Sequence, residues 1–219
     1  MDKEIISQWA EAHREEFLED IKKLVRIPSD RGEPQEGAPF GPGPDAALKK
    51  ALEIAGGYGF KTTNYDGYVG TVDFLPNNDH HLDILSHMDC VPVAEGWTVT
   101  GPFDPIVKDG KIYGRGTSDD KGPGVAALYA LRCLKELNVP LKHNVRLIWG
   151  TDEECGSGDI AYYYDREPEA KYTFSPDADY PLINIEKGGL IGTIFGEFQA
   201  DSQLPRIKAI DAGLKINVV

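Results

Sequence analysis

The chain has 219 residues, 41% of them apolar and 27% charged, which is long enough for one sizeable core and too apolar for a disordered polymer. A formal net charge of -13 works against binding to nucleic acid or to an anionic membrane, and no apolar run reaches the roughly 20 residues that a membrane-spanning helix needs. Cys90, Cys133 and Cys155 are odd in number and have no CxxC spacing, and the acidic, amphipathic start lacks the parts of a secretion signal, so a cytoplasmic protein without a disulfide scaffold or a thiolate zinc site is expected.

Ile6, Trp9, Phe17, Ile21, Leu24 and Val25 recur at helical spacing and predict one amphipathic helix that ends before Pro28. A loop rich in Gly and Pro follows over 29–44. Pro44 suits a first helical turn, Leu48, Ala51, Leu52 and Ala55 share a face, and Gly56-Gly57 supplies the stop of a second helix. Residues 68–75 and 82–86 read as strands on either side of the turn Pro76-Asn77-Asn78-Asp79, and Asp109-Gly110 marks a hairpin within 107–112.

A third helix is predicted from about 120 to 137, stopping before Pro140. Val125, Leu128, Tyr129, Leu131, Leu134 and Leu137 cover so much of its circumference that it should be buried against a sheet. Residues 145–149 form a near-continuous apolar strand, 172–175 another, and 191–198 resembles a new strand after the composition shifts at Lys187-Gly188-Gly189. Strands alternating with helices predict an α/β fold with a largely parallel central sheet flanked by helices. The expected division is a first domain over 1–187 and the beginning of a second, α+β domain over 188–219.

Three of these strands run into acids or imidazole. Residues 82–86 lead into His87-Met88-Asp89, 145–149 into Asp152-Glu153-Glu154, and 172–175 into Asp177 and Asp179. In open α/β sheets the carboxyl ends of strands form the ligand crevice, and the loop Gly114-Arg115-Gly116-Thr117-Ser118-Asp119-Asp120 would deliver Asp119 to the same edge. Acids brought together repel unless protons or cations neutralise them, and with an imidazole they make a plausible metal environment. Singly, each signal has a plainer reading: a structural His87, a helix cap at Asp119-Asp120, a solvated turn at Asp152-Glu153-Glu154. His13, His80, His81 and His143 sit in polar contexts that favour surface roles over ligation. The glycine-rich loop lacks both phosphate-binding fingerprints, and neither Cys90 nor Cys155 has an evident base partner.

Taken together, Ser86-His87-Met88-Asp89-Cys90-Val91-Pro92, Trp97, Gly101-Pro102-Phe103, Asp109-Gly110-Lys111-Ile112-Tyr113-Gly114-Arg115-Gly116, Asp119-Asp120-Lys121-Gly122, Asp152-Glu153-Glu154 and Ser175-Pro176-Asp177 resemble the dinuclear zinc peptidase family that includes bacterial dipeptidase V, carnosinases and acetylornithine deacetylase. The likeness covers nearly the whole chain and is nearest to the dipeptidase V branch. It implies two zinc ions per complete site, with His87 and Asp177 on one, Glu154 on the other, and Asp119 bridging them. It further implies that Asp89 orients His87, that Glu153 is the general base, and that the peptide bond between Asp119 and Asp120 is cis.

An aspartate at position 177 accompanies aminopeptidase or dipeptidase activity in the family, so the implied substrates are small peptides with a free N-terminus. Gly213-Leu214-Lys215-Ile216-Asn217-Val218-Val219 resembles the start of the family's lid domain and suggests Asn217 as a substrate-binding residue. Family members are much longer and draw a further zinc-binding histidine from a later segment. The chain is therefore expected to be an N-terminal portion, inactive or nearly so by itself and prone to associate with the remainder of the enzyme. Two other readings stay open at this level: an amidohydrolase that removes acyl groups from amino acids, and a truncated module that binds a partner without turnover.

Overall fold

A computed structural model of the chain describes residues 2–180. The chain divides into two compact units, Met1–Asp177 and Ala178–Val219, and the elements below belong to the first. The expected boundary at 187/188, the expected strand over 191–198 and Asn217 lie outside the described residues.

Two helices, α1 (Lys3–Ala12) and α2 (Arg14–Val25), stand where the apolar spacing predicts one. The break is at His13, which leaves helical geometry at φ -105° and ψ 7°. Its Nδ1–H donates to the Trp9 carbonyl at 2.7 Å, an acceptor that the His13 backbone N–H shares at 3.2 Å. Helix α1 buries no residue, whereas α2 buries Ile21, Leu24 and Val25.

Helix α3 (Pro42–Gly57) begins two residues before the expected proline. Its N-cap, Gly41, has φ 101°, and a Cβ there would stand 2.7 Å from the Gly32 backbone, so only glycine fits this entry. Ala47, Leu48, Ala51, Leu52 and Ala55 form its buried stripe. Helix α4 (Lys121–Glu136) buries Val125, Leu128, Tyr129, Leu131 and Cys133 around much of its surface, as predicted.

The strands are β1 (Lys61–Tyr65), β2 (Val69–Asp73), β3 (His80–His87), β4 (Ile106–Lys108), β5 (Lys111–Tyr113), β6 (Asn144–Gly150) and β7 (Tyr172–Phe174). Five of them form one sheet in the order β1-β2-β6-β3-β7. The segment β6-β3-β7 is parallel, and β1 and β2 extend it antiparallel. The two strands flanking the Pro76 turn are not paired with each other, because the buried β6 lies between them. Strand β1 escapes sequence reading because Lys-Thr-Thr-Asn-Tyr carries no apolar alternation, and its antiparallel ladder to β2 holds it. Strands β4 and β5 form the expected hairpin, with Asp109 at φ 53° and Gly110 at φ 74° as its two-residue turn.

Alternation along β6 sorts the core. Leu147 and Trp149 pack with α2, α3 and α4 in the main cluster, and Ile148 packs with Val69 and Tyr163 in the other. Tyr163 lies on α5 (Gly158–Tyr164), a short helix without a clear sequence signal. The β2-β6-β3 part of the sheet is thus covered on both faces, whereas β7 stays exposed.

Candidate active site

Parallel pairing of β3 with β6 and β7 brings three chain segments to one sheet edge. His87 is aligned with Gly150 at the end of β6, and Asp177 lies three residues past β7. Between β6 and α5, Glu153–Cys155 makes a single turn of 3₁₀ helix. The loop before α4 supplies Asp119, and the Asp119–Asp120 peptide is cis, in line with the family resemblance.

His87 is 2% exposed, and its Nε2 is the hub. It lies 3.0 Å from Asp119 Oδ1, 3.5 Å from Asp177 Oδ2 and 3.9 Å from Glu153 Oε2. On its other side, Nδ1 is 3.1 Å from the Asp89 carbonyl and 3.3 Å from Asp89 Oδ1. Burial alone would push the imidazole pKa down, but hydrogen bonding to Asp119, Asp177 and Asp89 outweighs it and holds the group well above its usual range. The same contact with His87 lowers the Asp119 carboxyl. Glu154 is pushed up to about 7 by burial and then by the Asp119 charge, and Glu153 is raised chiefly by burial. Protons are favoured on a crowd of carboxylates, and a cation relieves the same crowding.

The donor set fits such a cation. Two atoms each about 2.0–2.1 Å from a tetrahedral zinc stand about 3.3 Å apart, and the separations from Nε2 to Asp119 and Asp177 bracket that value. Among the described residues two groups have ligand atoms mutually within 4.8 Å: His87 with Asp119 and Asp177, and His87 with Glu153 and Glu154. The first is the set expected for one ion. In the second both glutamates reach the imidazole, so position alone does not divide them into ligand and base. The imidazole rises from the protein interior, whereas the side chains of Asp119, Asp177 and Glu153 are 44%, 33% and 51% exposed, giving a cation a route from solvent. Beside them lies a cavity of about 210 Å³, walled by Leu85, Gly150, Ser157 and Ile160 and reaching His87 and Asp177.

Asp89 does more than face His87. Its carboxylate also accepts the Glu153 N–H at 3.3 Å and the Glu154 N–H at 3.1 Å, so one buried acid ties the imidazole to the glutamate turn. Asp120 is the N-cap of α4, yet its side chain makes no cap bond and accepts instead from the His87 backbone N–H at 3.2 Å. Burial raises its carboxyl to about 7.

Two supporting residues, Arg31 and Asp159, lack a sequence signal, and a third, Lys121, is marked only by its place in the Asp119-Asp120-Lys121-Gly122 segment. Asp159 accepts from the N–H groups of Thr151 and Asp152 at 2.6 and 3.0 Å, Arg31 pairs with Asp152, and Lys121 donates to the carbonyls of Leu24 and Ile27 at 3.1 and 2.9 Å. Their contacts span 7 to 121 positions, and no local period encodes that. The other histidines stay outside both groups: His13 pairs with Glu136, His80 with Asp83, and His81 stacks on His143.

Residues 84–199 match the description "Peptidase family M20/M25/M40". The Bacillus subtilis (strain 168) protein YtjP is 37% identical over 210 residues, 94% of this chain and 45% of its own length. The Beta-Ala-Xaa dipeptidase of Lactobacillus delbrueckii subsp. lactis is 43% identical over 184 residues, 83% of this chain and 39% of its own. Human carnosine dipeptidase 1 shares the fold, with a TM-score of 0.66 and 24% identity over 78% of this chain and 40% of that one. The chain thus spans less than half the length of these relatives.

Proposed function

The chain belongs to peptidase family M20/M25/M40, and on that premise we propose that it forms part of a metal-dependent dipeptidase acting on small peptides with a free N-terminus. One observation carries the reading: His87 Nε2, Asp119 and Asp177 meet at the carboxyl edge of the parallel strands, with Glu153 and Glu154 beside them.

In this reading His87 and Asp177 hold one zinc, Asp119 is shared, and Glu154 serves a second zinc. Bound there, the ions supply Lewis-acid activation of water and of the scissile carbonyl. Glu153 is the general base that takes a proton from the attacking water and returns it to the leaving amine. Its raised pKa and solvent-open position suit a group that must gain and lose a proton. Asp89 keeps Nδ1 of His87 as the donor, so that Nε2 faces the metal.

The five histidines of residues 1–219 end at His143, and apart from His87 they lie outside the two groups. The second ion would then complete its ligands from elsewhere in the enzyme, leaving the polypeptide 1–219 inactive alone and able to associate with that remainder. Residues 1–187 would belong to the catalytic domain and 188–219 to the beginning of a lid, with Asn217 touching substrate. Three unpaired cysteines, Cys90, Cys133 and Cys155, suit the cytoplasm.

The test is release of free amino acids by the whole enzyme, with dipeptides compared against N-acyl amino acids. Faster dipeptide cleavage supports the reading. A strong preference for acyl substrates would replace it with a deacylase, and metal binding without turnover would replace it with a binding module.

A further inference from the structure

The turn that carries Glu153 and Glu154 is one 3₁₀ turn, followed by Gly156 at φ 115° and Ser157 at φ 56°. Three residues of 3₁₀ helix do not hold themselves in place, so the position of the two glutamates is imposed from outside. Asp89 supplies one hold through the Glu153 and Glu154 amides.

A second hold comes from the loop between α2 and α3. Arg31 Nη1 donates to Asp152 Oδ1 at 2.5 Å and lies 3.4 Å from the Cys155 carbonyl. Asp152 is 3% exposed, its Oδ2 accepts the Gly158 N–H at 3.2 Å, and its own carbonyl accepts from Cys155 and Ser157. Phe40 backs the guanidinium, with its ring centroid 5.1 Å from the central carbon. Arg31 therefore touches the residue just before Glu153 and the residue just after Glu154. Both contacts come from the single nitrogen Nη1, and the guanidinium lies over the Phe40 ring, a stacked placement that a lysine ammonium on a flexible stem does not reproduce.

We propose that Arg31 is a positioning residue for the Glu153–Glu154 pair, acting through Asp152 and the Cys155 carbonyl. The inference rests on the reading of these glutamates as reacting-site groups. Without Arg31, Asp152 keeps a buried carboxylate without its counter-charge, and the turn that bears both glutamates shifts to relieve it. His87, Asp119 and Asp177 come from other segments, so the ion they hold is retained.

In the whole enzyme, Arg31→Ala should lower kcat by about 10- to 100-fold, as misplacement by about 1 Å does elsewhere, with KM changed by less than about threefold. Amide hydrogen exchange should quicken over 153–158 and not along α4. Added guanidinium should restore part of kcat in Arg31→Ala while leaving the wild type unchanged, and Arg31→Lys should fall between the two. Wild-type kcat and wild-type exchange in Arg31→Ala would overturn the proposal. So would a loss that guanidinium does not relieve, that Arg31→Lys shares in full, and that comes with faster exchange along α4. A wild-type enzyme that cleaves no dipeptide, with the local exchange effect still present in Arg31→Ala, would overturn the dipeptidase reading and support the positioning role.

Discussion

Replacing Asp89 by asparagine keeps the shape and removes the charge of the group that links the imidazole to the glutamate turn. Asp89 is 1% exposed and has two backbone donors, Glu153 N–H and Glu154 N–H, one on each carboxylate oxygen. An amide can accept from only one of them through its oxygen, and its NH₂ then points at the other donor. One charge-assisted bond worth about 1.5–3 kcal/mol is lost, and leaving a buried N–H unpaired adds to the cost, so Asp89→Asn should destabilise the chain by about 2–4 kcal/mol. For a protein of this size that lowers the melting temperature by about 5–15 °C. The same change loosens the Nδ1 side of His87 and should weaken zinc binding about 10- to 100-fold. Thermal unfolding and calorimetric zinc titration of the same variant measure both effects. A melting temperature and zinc affinity equal to those of the wild type would refute the role given to Asp89.

Metal-free stability should fall as pH rises from about 4.5 to about 7. Glu154 and Asp120 both have folded pKa values raised to about 7 above their ordinary 4.5 and 3.8, so the folded state binds more protons than the unfolded state across that window. His87 acts in the same direction above 6.5, its ordinary value, because its folded pKa is raised. Asp119 acts oppositely, but only toward acid, its folded pKa being lowered from 3.8. Zinc binding requires the deprotonated groups, so the stabilisation that zinc confers should be larger at pH 7.5 than at pH 5, about in proportion to the logarithm of its tighter binding; melting curves at the two pH values with and without metal check the sign. Leu128→Ala, in the middle of the buried face of α4, should cost about 2–5 kcal/mol in denaturant unfolding while zinc affinity stays within about threefold, since the cavity opens in the helix layer and not at the sheet edge. Glu153→Ala in the whole enzyme should retain zinc by metal analysis and lose dipeptide hydrolysis; unchanged turnover would remove Glu153 from the role of base.

The sheet edge was legible in sequence because period and chemistry coincide there. Apolar runs that end in His87, in Asp152-Glu153-Glu154 and ahead of Asp177 place those side chains at one edge once the strands are parallel, and that edge is where they meet. The break at His13 was not legible, since the apolar spacing passes through it. Strand β1 and helix α5 were missed for related reasons: the first depends on a ladder to β2, and the second packs mainly through Tyr163 and Ile160. Arg31 and Asp159 carry no pattern at all, and Lys121 only its place in the Asp119-Asp120-Lys121-Gly122 segment, because a charged side chain finds a distant partner only after the chain has folded. Asp119-Asp120 shows the reverse case. Its ordinary reading as a helix cap describes the backbone correctly, but the Asp120 carboxylate is turned to the His87 N–H.

Metal binding by His87, Asp119 and Asp177 underlies the proposed hydrolysis. Anomalous scattering at the zinc absorption edge, from crystals grown with zinc, tests it most directly. A peak is expected about 2 Å from His87 Nε2 and from one carboxylate oxygen each of Asp119 and Asp177. Zinc bound only at other residues, or a zinc-loaded crystal with no peak at His87, would contradict it.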